Sequence, residues 1–445
     1  MRRLDINPAD FDFAGGIENT FVIDERPGMR ALEEYELMQH YSQWRGDLER
    51  AASLGIKKLR WGVPWYRVEP RPGEFDWSWI DEVLDYMVND LHIEPIIDLM
   101  HYGTPSWLVR SFADPQYPER VAAYAAEFTK RYHHLVRFYT PLNEPTVNSD
   151  FCCRTAQWPP YLTGDKGFVT VMLSIAKGIQ LTSKAIRAID HDAVLVAVEA
   201  MRLFRVVNPK AAHEAHLSFL KDMLCWDLVS GLVDKNHGLY DWVKQNGATD
   251  EQLSELIAGA VHQDILGVNF YPWSIMDATA DDGGRVWMVG GPNDGRYLAD
   301  MLRQVYAYAK TPLFVTETSA PGDHTARKLW MAETIDAIRV VRAEGLPVIG
   351  YTWFPLFTMV EWGYRTSGRP ISDHLFHLGL WDATFDEAGV LVRRETPLVA
   401  GYKDWVQRGM ALPAQRRSGS LMGCINSWRK RLGNKLRSWR SRFAQ

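Results

Sequence analysis

Two short segments each place a glutamate where an apolar, strand-like run ends. Residues 140–145 read TPLNEP and contain Glu144, and residues 314–319 read FVTETS and contain Glu317. In a (β/α)8 barrel, the loops at the carboxyl ends of the strands hold the chemistry. Hydrolysis of a glycosidic bond needs two carboxyl groups, one to protonate the leaving oxygen and one to attack or to activate water. The two segments together therefore predict that chemistry.

The elements that would position these glutamates are eight short apolar runs, most of them separated by amphipathic helical patterns. The runs are 11–15, 57–62, 94–99, 136–142, 194–198, 265–270, 312–316 and 347–353. Regular alternation of strand and helix favours a parallel sheet, and eight units favour a closed (β/α)8 TIM barrel with long βα loops. No glycine-rich phosphate loop follows the first run, which weakens the dinucleotide-binding alternative.

The length of 445 residues fits either two average domains or one such barrel. No linker occurs before about residue 411, so we predict a barrel over 1–410 and an extension over 411–445. The residues before Asp10 lack the apolar stretch of a signal peptide, and no run reaches the roughly 20 apolar residues of a membrane span. The four cysteines have neither a disulfide nor a metal spacing. We expect a cytoplasmic protein without metal, cofactor or nucleic-acid partner.

Further polar and aromatic residues fall at the ends of six predicted strands. Any one of them has a structural explanation, since an arginine can pair with a structural carboxylate and a tryptophan can belong to the core. Packing alone does not place charge at six strand ends that face one opening, so the set indicates a site. Its members are Arg60, His101, Asn143 with Glu144, Asn269 with Tyr271, Glu317 and Trp353.

These residues carry a family resemblance over about 11–404. The chain resembles glycoside hydrolase family 1, the β-glucosidase and β-galactosidase family, whose catalytic glutamates lie on barrel strands four and seven. The family's Asn-Glu-Pro motif matches 143–145, and its Thr-Glu-Asn-Gly motif matches 316–319 in part. Its His-Trp pair corresponds to 101–102 and its Asn-Tyr-Tyr to 269–271. The most specific match is the block 350–364, GYTWFPLFTMVEWGY.

The resemblance implies a retaining mechanism with defined roles. Glu144 would be the general acid/base with a raised pKa, and Glu317 would be the nucleophile. Arg60 and Tyr271 would keep Glu317 ionised and oriented. In a retaining enzyme, the two carboxyl groups are expected about 5–5.5 Å apart.

The resemblance also implies sugar contacts. Asn143 would bond the 2-hydroxyl, His101, Glu361 and Trp362 would bind other hydroxyls, and Trp353 would stack beneath the ring. The chain departs from the family near its first strand, where Glu18 stands and the usual glutamine is missing. Thr318-Ser319 and Tyr102 are further departures, which leave the sugar's identity open. An anionic Glu361 argues against a 6-phospho-sugar.

The leading interpretation is an exo-acting β-glycosidase for an unphosphorylated sugar. Transglycosylation through the same intermediate is a variant, and a non-catalytic glycan-binding barrel is the alternative from another class. An intact glutamate pair argues against that alternative. Glu199 also ends an apolar run, but no motif surrounds it.

The last part of the chain is strongly basic. No acidic residue follows Asp404, whereas ten Lys and Arg do, so residues 1–404 carry 40 − 55 = −15. Apolar residues recur along one helical face at 421, 425, 428, 432, 436, 439 and 443, with basic residues between them. This pattern is typical of a helix lying in an anionic membrane surface. We expect 421–443 to attach the enzyme peripherally to the inner membrane face, near a glycolipid or lipid-linked glycan. Docking on the acidic barrel, or on a partner, is the alternative.

Overall fold

The computed structural model describes residues 10–410, which form a closed barrel of eight parallel strands. Each strand pairs with its two neighbours, and β8 closes the barrel against β1. The predicted (β/α)8 barrel is therefore confirmed. The strands are β1 (Asp12–Gly16), β2 (Lys58–Gly62), β3 (Glu94–Asp98), β4 (Phe138–Thr140), β5 (Val194–Ala200), β6 (Ile265–Asn269), β7 (Leu313–Thr318) and β8 (Val348–Trp353).

The strand boundaries differ from the predicted runs mainly at β4, which was expected over 136–142. Pro141 has no backbone N–H and cannot donate to the ladder, so the regular strand stops at Thr140. Pairing resumes beyond the proline as a parallel bridge between Asn143 and Val198. The chain thus remains attached to β5 at the position where Glu144 follows.

Helices cover the outside of the barrel. They bury apolar stripes against the outward faces of the strands, where Leu59, Ile97, Leu195 and Tyr351 are almost fully buried. The helices of eight or more residues are α1 (His40–Ser53), α2 (Ser78–Asp85), α3 (Tyr117–Tyr132), α4 (Gly164–Ile189), α5 (Ala212–Asp222), α6 (Asp250–Ala258), α7 (Leu298–Ala309), α8 (His324–Ala343) and α9 (Pro397–Arg408). None of the helices within 10–410 is long and apolar enough to cross a membrane.

Local chemistry fixes where several of these helices begin. The Thr249 side chain accepts from the amide of Gln252, and the Gln252 side chain accepts from the amide of Thr249, so α6 begins with a capping box. Asp323 accepts from the amide of Ala326 at the start of α8. At the other end of the chain, the hydroxyl of Tyr402 on α9 donates to the carbonyl of Ala14 at 2.6 Å. This bond holds the last helix against β1.

The interior of the barrel is filled by alternate residues of the strands, as a packed core requires. Ala14, Ile96, Val196, Ile265 and Phe314 are among the residues in this interior cluster. The side chain of Arg60 on β2 also points into the barrel, in register with Ile96. It lies towards the carboxyl ends of the strands and is fully buried. An inward cation at this level must be satisfied by neighbouring strands, because burying an unpaired charge is costly.

Short accessory strands extend the βα loops. Strands Leu203–Val206, Ile275–Ala280 and Val286–Gly290 form a three-stranded sheet that follows β5 and β6. Three hairpin-like pairs join Phe21–Val22 to Leu32–Glu33, Met359–Val360 to Leu375–Phe376 and Trp381–Phe385 to Leu391–Glu395. The predicted extension 411–445 lies outside the described residues, so its helix and its separation as a unit stay predictions.

The packing of the barrel interior predicts an asymmetry between two glycines. A Cβ at Gly350 on β8 would overlap the buried ring of Phe314, whereas a Cβ at Gly401 on α9 meets no atom within 4 Å. We expect Gly350→Ala to lower the free energy of unfolding by about 1–3 kcal/mol through overpacking. Gly401→Ala should leave it unchanged or raise it, since alanine favours a helix. Urea denaturation of both variants checks this, and equal stabilities would contradict the described packing.

Candidate active site

Arg60 stands at the centre of the polar residues at the carboxyl end of the barrel. Its Nη1 donates to Glu317 Oε1 at 2.6 Å, and its Nη2 donates to both carboxylate oxygens of Asp98 at 2.8 and 2.7 Å. Nη2 also lies 3.0 Å from Asn143 Oδ1. Arg60 is fully buried, so its charge is balanced by these neighbours. One cation therefore links the ends of β2, β3, β4 and β7.

Glu317 is aimed into this site by an irregularity in its strand. The register of β7 shifts against both neighbours just before Glu317, as at a β-bulge. Bulges redirect a side chain relative to the regular pleat. The carboxylate accepts from Arg60 on one oxygen and from the Tyr271 hydroxyl on the other, at 2.6 Å. Both oxygens thus have a donor that favours the charged form.

Glu144 is held from both sides by the backbone. Its amide donates to the carbonyl of Val198 at 3.1 Å, and the preceding amide of Asn143 donates to Met100 at 3.0 Å. Its φ of 46° lies in the left-handed region. A non-glycine residue there is uncommon and is found at functional sites where the surroundings impose it.

The carboxyl group of Glu144 has two side-chain donors. Asn269 Nδ2 donates to Oε1 at 2.8 Å, and the Tyr102 hydroxyl donates to Oε2. Thr316 in turn donates to Asn269 Oδ1 at 2.6 Å, which fixes the amide's orientation. Tyr102 has a φ of 80°, so both partners of the Tyr102–Glu144 hydrogen bond are non-glycine residues with a positive φ. The geometry holds the Glu144 carboxyl in one orientation.

Asn143 lies between the two glutamates. Its Oδ1 accepts from Arg60, and its Nδ2 lies 3.0 Å from His101 Nε2 and donates to the Tyr102 hydroxyl at 3.0 Å. His101 Nδ1 contacts Asp98 at 3.3 Å. Asn143 is therefore oriented by groups from β2 and from the segment after β3, and its amide hydrogens point towards the Tyr102 side of the site.

The ionisation of the two glutamates follows from burial and from Arg60. Burial raises the pKa of Glu144 and of Glu317, and the negative charge of Glu144 raises the pKa of Glu317 further. Arg60 opposes this shift most directly at Glu317, which it contacts. Two buried carboxyls of this kind titrate as a pair. Because the cation lies on Glu317, we assign the first bound proton to Glu144.

Several predicted sugar-binding residues occupy positions around this centre. Glu18 is buried, and its Oε1 accepts from the amide and hydroxyl of Thr20 at 3.0 and 2.6 Å. Its charge raises the pKa of Glu144 and of Tyr271. Glu361 lies at the rim, with 51% of its side chain exposed, and pairs with His374 at 3.3 Å. Glu18 is thus near enough for its charge to act on Glu144, whereas Glu361 is open to solvent.

Aromatic rings surround the Glu144 side of the site. Trp362 is partly buried and meets Tyr102 and Trp158 edge to face, at centroid distances of 5.5 and 5.2 Å. Phe151 completes this group at 5.1 Å from Trp362. The cluster packs against the residue that donates to Glu144, so it supports the position of the carboxyl as well as one wall of the site.

Trp353 and its neighbour Phe354 occupy different surroundings. Trp353 is fully buried, and its indole N–H donates to the carbonyl of Leu378 at 3.1 Å. Phe354 lies parallel to His101 at 6.2 Å, and the Arg60 guanidinium lies over its ring at 5.4 Å. Trp353 as the ring beneath the sugar therefore stays a prediction, and Phe354 is the ring that contacts the polar centre.

Three supporting residues were not among the predicted site residues. Asp98 ends the apolar run of β3 and binds both Arg60 and His101, so the signal that selected the glutamates could have found it. Thr316 precedes Glu317 and orients Asn269. Glu199 accepts from the amide and hydroxyl of Thr146 at 3.2 and 3.1 Å, which anchors the turn after Glu144.

Within 10–410, no group of His, Cys, Asp and Glu side chains is placed to hold a metal ion.

Comparisons with known proteins agree with the barrel fold. The family model described as "Glycosyl hydrolase family 1" matches residues 33–280, more than half of the chain. The beta-glucosidase from Thermotoga maritima in complex with castanospermine superposes with a TM-score of 0.78 at 16% identity, covering 90% of this chain and 98% of that one. At this identity, the superposition shows the shared fold.

Three curated relatives match parts of the sequence. Beta-glucosidase 47 of Arabidopsis thaliana is 32% identical over 28% of this chain and 24% of its own length. Aryl-phospho-beta-D-glucosidase BglC of Bacillus subtilis (strain 168) is 25% identical over 53% and 51%. Galactolipid galactosyltransferase SFR2, chloroplastic, of Arabidopsis thaliana is 20% identical over 71% and 51%. The matches thus span about half or less of these relatives.

The Tyr102–Glu144 bond predicts a change in pH dependence. The Tyr102 hydroxyl donates to the charged carboxylate and so lowers the pKa of Glu144 against the effect of burial. In Tyr102→Phe this donor is lost, so the pKa rises and the acid stays protonated to higher pH. We expect the alkaline limb of the kcat/KM profile for a chromogenic β-glucoside to move to higher pH.

A matched control is Tyr139→Phe, which removes a buried hydroxyl that donates to the carbonyl of Val136, away from the site. Its profile should coincide with that of the unaltered protein. An alkaline limb that stays in place, or moves to lower pH, in Tyr102→Phe would show that Tyr102 does not act on the proton of Glu144.

Proposed function

The chain belongs to glycosyl hydrolase family 1, and on that premise we propose that it is a retaining, exo-acting β-glycosidase for an unphosphorylated sugar. The observation that supports this proposal is the pair of buried glutamates at the ends of β4 and β7 with unequal surroundings. Glu317 contacts a cation, whereas Glu144 contacts only neutral donors. A nucleophile and a general acid need this difference.

In the first half-reaction, Glu317 attacks the anomeric carbon while Glu144 gives its proton to the leaving oxygen. The bond from the anomeric carbon to the leaving oxygen breaks, and an ester bond to Glu317 forms. In the second half-reaction, Glu144 removes a proton from water, which attacks the same carbon and releases Glu317. Arg60 and Tyr271 hold the carboxylate of Glu317 in position for both steps.

The proposal of an unphosphorylated sugar rests on the charge around the site. Glu18 and Glu361 are carboxyl groups on the side formed by the segments after β1 and β8. A phosphate dianion would be repelled by these groups in their charged form. This distinguishes the proposed substrate from the one named for the Bacillus subtilis relative BglC.

Transfer to an acceptor other than water is a second candidate. Its support is the alignment with galactolipid galactosyltransferase SFR2, which covers 71% of this chain. Hydrolysis and transfer share the glycosyl-enzyme intermediate, so the same glutamates would serve both. Product analysis with and without an added alcohol or sugar acceptor separates the two, since a transferase would yield a glycoside of the acceptor as the main product.

The assigned roles of the two glutamates predict different responses to substitution. Glu317→Gly should abolish hydrolysis, and added azide should restore turnover and give a glycosyl azide of inverted configuration, because the small anion fills the space of the lost carboxylate. Glu144→Ala should lower the rate by about 10²–10⁴-fold for poor leaving groups and far less for a dinitrophenolate, which needs no proton. Steady-state rates and NMR of the azide product check both.

Glu199→Gln is the matched control, since Glu199 is also a buried carboxyl at a strand end but binds only the backbone amides and hydroxyl of its neighbours. Azide should not raise the hydrolysis rate of this variant. Its rate relative to the unaltered protein should be the same for good and poor leaving groups. If Glu144→Ala lowers the rate equally for substrates with good and with poor leaving groups, Glu144 is not the general acid.

The basic segment 421–443 supports a further part of the proposal, attachment to the inner face of an anionic membrane. Its sequence pattern combines one apolar helical face with seven of the ten basic residues that follow Asp404, while the body is acidic. Each basic residue near such a surface contributes on the order of 1 kcal/mol. Attachment would bring the opening of the barrel close to glycolipid or lipid-linked glycan.

Vesicle co-sedimentation tests the attachment. The full chain should bind anionic vesicles more than phosphatidylcholine vesicles, and the binding should weaken with salt. A chain ending at Leu412 should not bind, and Trp428→Ala/Trp439→Ala should bind less than the full chain. Equal partitioning of the full and shortened chains onto anionic vesicles would contradict the attachment.

A further inference from the structure

One carboxylate oxygen of Glu18 has no partner in the protein. Both hydrogen bonds that Glu18 accepts, from the amide and the hydroxyl of Thr20 at 3.0 and 2.6 Å, end on Oε1. Within 10–410, no group donates to Oε2, which keeps some contact with solvent. The residue as a whole is only 8% exposed. Buried polar atoms normally have a hydrogen-bond partner, so Oε2 is a candidate contact for a ligand.

The backbone holds Glu18 beside the residues around Arg60. The amide of Ile17 donates to the carbonyl of Arg60 at 3.1 Å, and the amide of Phe21 donates to the carbonyl of His101 at 3.1 Å. Segment 17–21 is therefore fastened at one end to β2 and at the other end to the residue that follows β3. Glu18 lies between these two attachments, at the opening of the barrel.

The site holds more carboxylates than cations. Arg60 contacts Asp98 and Glu317, and neither of its ion pairs includes Glu18. No other Lys, Arg or His within 10–410 pairs with Glu18. Burial and, to a smaller extent, the charge of Glu18 raise the pKa of Glu144, so this charge is felt at the reacting groups. A buried charge without a counter-ion is costly, and a cationic ligand would remove that cost.

Two arginines in the segments after β1 and β8 do not supply this counter-ion. The guanidinium of Arg30 donates to the carbonyls of Tyr364 and Arg369 at 2.7–3.0 Å. The guanidinium of Arg365 donates to the carbonyls of Asp24 and Arg30 at 2.6 and 2.7 Å. Both arginines thus bind the loop backbone, and the carboxylate of Glu18 is left for the substrate.

We propose that Glu18 is the counter-ion of an ammonium group on the sugar, so that the enzyme acts on β-glycosides of an amino sugar. The proposal rests on the glycosidase function proposed above and names the class of its sugar. An ammonium group donates up to three hydrogen bonds and carries the charge that Glu18 lacks as a partner. A neutral hydroxyl could bond to Oε2 but would leave the negative charge unmatched.

The first test measures binding to the unaltered protein. The probes are thiophenyl β-glucosides, which resist hydrolysis, with one hydroxyl at carbon 2, 3, 4 or 6 replaced by an ammonium group. By calorimetry, at least one of the four should bind about tenfold or more tightly than the neutral thiophenyl β-glucoside, as a charge-assisted hydrogen bond allows. The advantage should disappear at a pH at which the amine is uncharged. If all four bind no better than the neutral glucoside, the proposal is overturned.

Glu18→Gln tests whether this residue is the counter-ion. A glutamine oxygen can still accept from Thr20, but the negative charge is lost. The affinity for the best amino derivative, relative to the neutral glucoside, should fall about tenfold or more. An equal loss for both sugars would indicate that Glu18 binds a hydroxyl, and would overturn the proposal.

The matched control is Glu69→Gln. Glu69 is also buried, at 4% exposure, but it accepts from the indole of Trp65 at 2.6 Å and from the amide of Gly73 at 2.7 Å. Its substitution should leave the relative affinity for the amino and neutral sugars unchanged. The same fall of this ratio in Glu69→Gln as in Glu18→Gln would contradict a specific role of Glu18.

The sugar class and the glycosidase function can fail separately. Hydrolysis is measured with nitrophenyl β-glycosides of the same neutral and amino sugars. If the unaltered protein hydrolyses none of them, the proposed function falls, and the calorimetric comparison still decides whether the site prefers an ammonium group. If it hydrolyses the neutral glucoside and binds no amino derivative more tightly, the proposed function stands and the amino-sugar proposal falls.

Discussion

The buried guanidinium of Arg60 is the interaction on which the site depends. A cation with no exposed surface must be matched by charge and hydrogen bonds from its neighbours, or the barrel end could not close around it. The charge and hydrogen bonds that balance Arg60 come from Asp98, Asn143 and Glu317, at the ends of three other strands. The requirement to neutralise one charge therefore also fixes the distance between the β3, β4 and β7 ends. The position of Glu317, the proposed nucleophile, follows from the same constraint that stabilises the carboxyl end of the barrel.

The proposed protonation of Glu144 rests on the asymmetry that this cation creates. Glu144 and Glu317 are both buried, and burial raises the pKa of each. Only Glu317 contacts the guanidinium, which favours its charged form, so we assign the first bound proton to Glu144. Tyr102 then limits how far the Glu144 pKa rises by donating to its charged form. The family pattern has a tryptophan at the Tyr102 position, so this hydroxyl is a feature of the present chain.

Much of the fold could be predicted from the sequence because each barrel strand contains a short apolar run, and six of the eight runs have a polar or aromatic residue at or near their end. The run 194–198, for example, is followed by Glu199, and the structure extends β5 only to Ala200. The end of β4 was less predictable, since Pro141 interrupts the ladder and pairing then resumes.

The site was predictable in its residue types more than in its contacts. The positions of Glu144, Glu317 and Arg60 follow from strand ends alone. The different surroundings of Trp353 and Phe354 could not be predicted, because adjacent residues at an irregular strand end exchange inward and outward positions with a small change of backbone. The exposure of Glu361 depends on a loop conformation that no periodic pattern encodes.

The most direct test of the account is a crystal structure after reaction with a 2-deoxy-2-fluoro-β-glucoside bearing a good leaving group. The fluorine slows the second half-reaction more than the first, so the intermediate accumulates. We predict a covalent bond between the anomeric carbon and a carboxylate oxygen of Glu317, with the Glu144 carboxyl about 5–5.5 Å from that of Glu317. A bond to another carboxyl such as Glu199, or a separation near 9 Å with water between the two groups and no covalent adduct, would contradict it.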